Sequence, residues 1–129
     1  MLSIWNLSSG YGDAQVIHDI SFEVNAGEIV CLLGRNGAGK TTCMKTIMGL
    51  IPANAGSVAL SGETVSSLPA HEVPKRGIGY IPQGRRLFAE LTVAENLEIG
   101  LMVRRQGDDI RDQVLGMFPR LRERLDQRA

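Results

Sequence analysis

Apolar and polar residues alternate at Ile20, Phe22 and Val24, and more briefly at Leu2, Ile4 and Leu7, the period of strands with one buried face. Asn25-Ala26-Gly27-Glu28 is turn chemistry, and Ile29-Val30-Cys31-Leu32-Leu33 is an unbroken apolar run of buried-strand type. Thr42 to Met48 continues as a helix, which should end near Gly49-Leu50 because Gly49 suits a C-terminal cap and Pro52 follows. Gly56 to Gly62 reads as a strand between glycines, half of a hairpin. Pro69 to Lys75 holds only a short helical turn, and Gly77-Ile78-Gly79-Tyr80-Ile81 is a second apolar strand stopped by Pro82. The pattern then changes. Thr92-Val93-Ala94-Glu95 is a capping box, and Val93, Leu97 and Leu101 recur at helical spacing. Gly107-Asp108-Asp109 breaks that helix, a second one follows with Ile110, Val114, Leu115 and Phe118, and charge dominates the last ten residues. Mixed β structure therefore comes first and helices after it, with no internal repeat and no low-complexity segment.

The segment between the apolar run and the first helix carries the chemistry. Gly34-Arg35-Asn36-Gly37-Ala38-Gly39-Lys40-Thr41 fills every fixed position of G-x-x-x-x-G-K-[ST], in the order strand, glycine loop, helix. In such a loop successive backbone N–H groups turn inward around phosphate oxygens, and the helix N-terminus adds partial positive charge. Glycines permit the close approach and the positive φ angles. Lys40 is placed to reach the β and γ phosphates of a nucleoside triphosphate, and the Thr41 hydroxyl to ligate Mg²⁺.

Composition narrows the class. At 129 residues the chain is the size of one domain, and 14 basic against 14 acidic residues leave no net charge to suggest a nucleic-acid partner. Cys31 and Cys43 have neither CxxC spacing nor a histidine cluster, so two buried, reduced thiols are expected rather than zinc or a disulfide. The start Met1-Leu2-Ser3-Ile4-Trp5-Asn6 lacks a charged region ahead of an apolar stretch, and no run is long enough to cross a bilayer. A chain that is soluble, not secreted, and at a membrane only through a partner is the expectation.

Together these stretches resemble the nucleotide-binding subunits of ABC transporters, in the family's own order. Tyr11, in Ser9-Gly10-Tyr11-Gly12, sits where the family stacks an aromatic on adenine, and the resemblance counts Val16 with it among the ATP-binding residues. The loop from Gly34 to Thr42 has the family's GxNGAGKTT form, so Gly34, Asn36, Gly37, Ala38, Gly39, Lys40, Thr41 and Thr42 are the implied ATP-binding residues. Tyr80-Ile81-Pro82-Gln83 looks like the Q-loop, whose glutamine contacts Mg²⁺ and the attacking water, so Lys40 and Gln83 are the implied catalytic residues and Thr41 and Gln83 the implied Mg²⁺ ligands. Leu91-Thr92-Val93-Ala94-Glu95-Asn96-Leu97 resembles the opening of the helical subdomain. Gln83-Gly84-Arg85-Arg86-Leu87-Phe88, with Lys45-Thr46-Ile47-Met48-Gly49-Leu50, looks most like subunits powering branched-chain amino acid or urea uptake.

The resemblance implies an α/β fold, that of a P-loop NTPase of the ABC nucleotide-binding type, with an N-terminal antiparallel β subdomain, part of a RecA-like core, and the start of a helical subdomain. It sets residues 1–91 as β subdomain and core up to the Q-loop, and 92–129 as the beginning of the helical part. It implies ATP and Mg²⁺, membrane-spanning permease subunits, a second ATP-binding subunit, identical or not, and indirectly a periplasmic solute-binding protein. It places the chain peripherally on the cytoplasmic face, with Arg85, Arg86 and Phe88 as contacts to the membrane partner. The family's LSGGQ signature and the apolar strand ending in Asp-Glu do not occur among these residues, and His18 and His71 precede Gln83 and match no γ-phosphate role. Positioning and charge neutralisation catalyse phosphoryl transfer, so the cradle alone is expected to bind nucleotide weakly and turn it over negligibly. An open sheet edge and an uncovered apolar face are expected too. An ABC ATPase acting on nucleic acid or ribosomes is the second reading, disfavoured by the balanced charge and single phosphate loop. A nucleotide-binding module without turnover is the third.

Overall fold

The structure is a computed structural model that describes residues 1–84, 86–102 and 108–129. It forms two compact units, Met1–Tyr80 and Ile81–Ala129.

The first unit is built on an antiparallel sheet in the order β2-β1-β3-β4, from β1 (Leu2–Tyr11), β2 (Ala14–Val24), β3 (Ala53–Leu60) and β4 (Glu63–Thr64). Pairing Leu2 with Val24 and Leu60, and Ile4 with Phe22 and Val58, sets the apolar side chains of neighbouring strands on one face. Ile4 and Leu7 both face the core although they are an odd number of positions apart, which strict alternation forbids. Asn6, at φ 46°, explains it: the ladder shifts register between Ile4 and Leu7, and the strand changes parity there. Asp19, at φ 49°, produces the same change between Ile17 and Ile20. Side chains replace the lost ladder bonds, Ser21 Oγ accepting from the Asn6 N–H at 2.8 Å and Ser8 Oγ from the Asp19 N–H at 3.0 Å. β1 is consequently longer than the short strand expected from its sequence.

Helix α1 (Lys40–Ile47) closes the core, with Cys43 and Ile47 joining Ile4, Leu7, Ile17, Val58 and Val65. Each large side chain buried there contributes roughly 2 kcal/mol of transfer free energy. The helix ends as its sequence predicts. Gly49 takes φ 68°, its N–H donates to Thr46 O at 3.0 Å, and the Leu50 N–H donates to Lys45 O at 2.9 Å, a Schellman motif. Burial pushes the Cys43 thiol pKa up.

The apolar run Ile29 to Leu33 departs from expectation, because it is not a strand and is not buried. Ile29 is 92% and Leu33 91% exposed, and Cys31 is exposed as well, so only Cys43 is the buried thiol that was expected. A strand needs a hydrogen-bonding neighbour, and among the described residues none lies alongside this segment. Gly77 to Ile81 is likewise not a strand, and Ile81 is 96% exposed. Between Pro69 and Lys75 the expected short turn is present, ending in a 3-10 turn over Pro74–Arg76.

The second unit holds α2 (Val93–Met102), α3 (Asp108–Met117) and α4 (Pro119–Arg122). The Thr92–Glu95 capping box forms in both directions: Glu95 Oε2 accepts from the Thr92 N–H at 2.7 Å, and Thr92 Oγ1 accepts from the Glu95 N–H at 3.2 Å. The hydrogen bonds from Thr92 hold the Glu95 carboxyl below the ordinary glutamate pKa. The charged C-terminal stretch folds back to this point, Gln127 O accepting from the Val93 N–H and Leu125 O from the Ala94 N–H, both at 2.9 Å. The first N–H groups of α2 are therefore satisfied within the chain. The break expected between α2 and α3 falls partly outside the described residues. No helix among the described residues is long and apolar enough to cross a membrane.

Candidate functional site

The loop that the sequence singles out joins the first unit's exposed apolar segment to α1. Gly39 is the N-cap of α1 at φ 86°, and its carbonyl accepts the first intrahelical bond, from the Cys43 N–H at 2.8 Å. Glycine has no side chain to cap the helix, so the N–H groups of Lys40, Thr41 and Thr42 precede that bond without a side-chain acceptor. Donors aimed outward at a positive helix end are what an anionic phosphate requires. A turn closed by the Ala38 N–H on Arg35 O at 3.1 Å shapes the preceding segment, with Gly37 at φ 84°. Lys40 Nζ folds over the loop and donates to Gly34 O and Arg35 O, each at 2.7 Å. Its ammonium thus lies on the loop backbone, at the head of the uncapped helix.

The β1–β2 hairpin forms one wall. Gly39 lies directly under Val16: a methyl built on it would stand 3.3 Å from Val16 O and 3.4 Å from Val16 Cγ1. Tyr11 pairs with Ala14 across the hairpin, two residues along β2 from Val16, or about 7 Å of strand. Its ring is half exposed at the hairpin end. The first unit therefore brings Tyr11, Val16 and the loop from Gly34 to Thr42 into one neighbourhood, through a Val16–Gly39 contact that no sequence pattern signals. Asn36, Gly37, Ala38 and Thr41 are exposed, whereas Thr42 is buried. The positive φ at Gly37 and Gly39, the uncapped amides and the lysine together fit a polyphosphate, and the Thr41 hydroxyl follows directly as a donor of the type Mg²⁺ takes.

Gln83 belongs to the second unit, where it is exposed in the stretch before α2 and next to Gly84 at φ 89°. Arg86, Leu87 and Phe88 are exposed in the same stretch, and Arg85 lies outside the described residues. Asn96 holds that stretch to α2. Its Oδ1 accepts from the Phe88 N–H at 3.0 Å, and its Nδ2 donates to Phe88 O at 3.0 Å and to Thr92 O at 2.9 Å. Sequence reasoning missed Asn96 because an asparagine inside a helix gives no signal of a loop contact. No cluster of His, Cys, Asp and Glu able to hold a metal occurs among the described residues.

The branched-chain amino acid transport ATP-binding protein BraG of Pseudomonas aeruginosa is 46% identical over 132 residues, and the match takes in 100% of this chain. The lipopolysaccharide export ATP-binding protein LptB of Escherichia coli is 44% identical over 103 residues, 80% of this chain. The chain spans about half the length of these relatives, 56% of the first and 43% of the second. A solved ATP-binding subunit of an ABC transporter superimposes with a TM-score of 0.85 at 33% identity, over 98% of this chain and 53% of its own. The fold is thus that of the ATP-binding cassettes, with the antiparallel β subdomain the sequence led one to expect. The family profile described as ABC transporter matches residues 17–128, the stretch that carries the phosphate loop, Gln83 and the capping box, and the chain belongs to that family.

Proposed function

We propose that this chain is the ATP-binding subunit of an uptake transporter, binding MgATP at the loop from Gly34 to Thr42 and coupling its hydrolysis to import of a small solute, a branched-chain amino acid. The observation that carries this reading is the uncapped N-terminus of α1, with Lys40 folded across it and Val16 pressed on Gly39. In it the loop amides and Lys40 bind the phosphates, Tyr11 stacks on the base beside Val16, and Gln83 orients the attacking water. Mg²⁺, held by Thr41 and Gln83, would neutralise charge developing on the phosphates. The subunit would work peripherally on the cytoplasmic face with permease subunits and a second ATP-binding subunit, and indirectly with a periplasmic solute-binding protein. Arg85, Arg86 and Phe88 would touch the permease. By themselves the 129 residues supply a cradle and little turnover.

BraG gives the import reading its support, and the near-equal identity of LptB favours a second reading, lipopolysaccharide export. Urea is the alternative small solute. Co-expression with the membrane-spanning proteins encoded beside it, reconstitution into vesicles and assay with labelled leucine separates them. ATP-driven leucine uptake supports import; ATP-driven lipopolysaccharide release without uptake overturns it.

A further inference from the structure

Behind the phosphate loop, two buried hydroxyls connect the strand that carries Tyr11 to the helix that carries Lys40 and Thr41. Ser9, fully buried in β1, donates from Oγ to Pro52 O at 2.8 Å. Thr46, 2% exposed on α1, has its Oγ1 2.8 Å from Ser9 Oγ and 2.8 Å from Thr42 O. Each hydroxyl has one proton to give, and Thr46 to Ser9 to Pro52 O is the arrangement that supplies the Pro52 carbonyl without leaving either oxygen idle. Ser9 also stands between two register shifts of β1, where the ladder to β2 is interrupted and a strand is least constrained by its neighbours. The relay thus braces β1, α1 and the entry to β3 at one point, two residues from Tyr11 and one helical turn from Thr42.

From this we infer that Ser9 and Thr46 are positioning residues that fix the spacing between the base-binding hairpin and the phosphate-binding helix. Neither touches nucleotide. The inference rests on the nucleotide reading above, and its consequence is specific. Without the relay, a ligand that engages only the phosphate loop keeps its site, while a ligand spanning hairpin and loop loses the distance it needs.

Magnesium tripolyphosphate and MgATP are the two probes, titrated into the full chain and into Thr46→Val, Thr46→Ser and Ser9→Ala by calorimetry. A buried hydrogen bond of ordinary strength sets the expected effect at about fivefold weaker MgATP binding in Thr46→Val and Ser9→Ala. Tripolyphosphate should hold within twofold, Thr46→Ser should restore ATP binding, and the double variant should be no worse than either single one. Loss of both ligands by one factor, or of neither, overturns the inference and leaves the hydroxyls merely structural. Should Thr46→Val not fold, Ser9→Ala carries the test, since Thr46 can then turn its one proton to Thr42 O, 2.8 Å away. A wild-type chain that binds neither probe overturns the nucleotide reading itself.

Discussion

Substituting alanine at Gly39 and, separately, at Gly37 separates the two reasons glycine stands in the phosphate loop. Both residues are left-handed, at φ 86° and 84°, and alanine in that region costs about 1–2 kcal/mol. Stiffening of the unfolded chain offsets about 0.5 kcal/mol of this in both variants alike. The surroundings differ. At Gly37 a methyl meets nothing within 4 Å, but at Gly39 it meets Val16 O at 3.3 Å and Val16 Cγ1 at 3.4 Å. Val16 belongs to β2, so relief requires the strand or the helix start to shift by a few tenths of an ångström. Overpacking of this kind costs about 1 kcal/mol at its lower end. Gly39→Ala should therefore be the less stable variant by about 1 kcal/mol, a difference of about 3–6 °C in melting temperature for a domain of this size. Because the shift displaces the N–H groups of Lys40 and Thr41, MgATP binding should fall about tenfold further than in Gly37→Ala, as one misplaced cradle contact would dictate. Thermal unfolding by circular dichroism and calorimetric titration read the two effects. Equal losses in both variants would mean that the Val16 contact contributes nothing.

Further outcomes concern the second unit and the cysteines. The Glu95 carboxyl is held below its ordinary pKa of 4.5 by the hydrogen bonds from Thr92, so it stabilises α2 fully above that pH and loses its contribution as pH falls below it. Helix melting should show wild type ahead of Glu95→Gln at pH 7, with the gap narrowing as the pH falls below 4.5; a gap independent of pH would contradict the capping geometry. N-ethylmaleimide should label exposed Cys31 and spare Cys43, whose thiol is buried and raised in pKa, until denaturant is added. Peptide mapping that found both labelled at one rate would remove Cys43 from the core.

Features encoded by a few neighbouring residues were legible in the sequence. The phosphate loop, the Gly49 cap and the Thr92–Glu95 box each lie where the chain alone puts them, because their hydrogen bonds join residues a few positions apart. Features that depend on a distant neighbour were not. Ile29 to Leu33 reads as a buried strand because of its side chains, yet a strand is made by the chain beside it. The parity changes at Asn6 and Asp19 come with register shifts whose lost ladder bonds are taken up by hydroxyls of Ser21 and Ser8 across the sheet, and strict alternation cannot foresee them. The return of Leu125 and Gln127 to the start of α2 uses backbone carbonyls, so the charged side chains of that stretch carry no sign of it. For the site, residue types were readable from the motif and the resemblance, Tyr11 and Val16 included, but the contacts that assemble it were not: Val16 against Gly39, and Thr46 against Ser9, join separate elements.

Calorimetric titration of MgATP into the wild-type chain and into Lys40→Ala asks whether the loop from Gly34 to Thr42 is a nucleoside triphosphate site. Saturable binding of one ATP per chain, weakened more than tenfold when the Lys40 ammonium is removed, is the predicted result; its charge-assisted bonds to phosphate support a loss of about 1.5–3 kcal/mol. Binding that is absent from a folded wild-type chain, or that survives unchanged in Lys40→Ala, would contradict it.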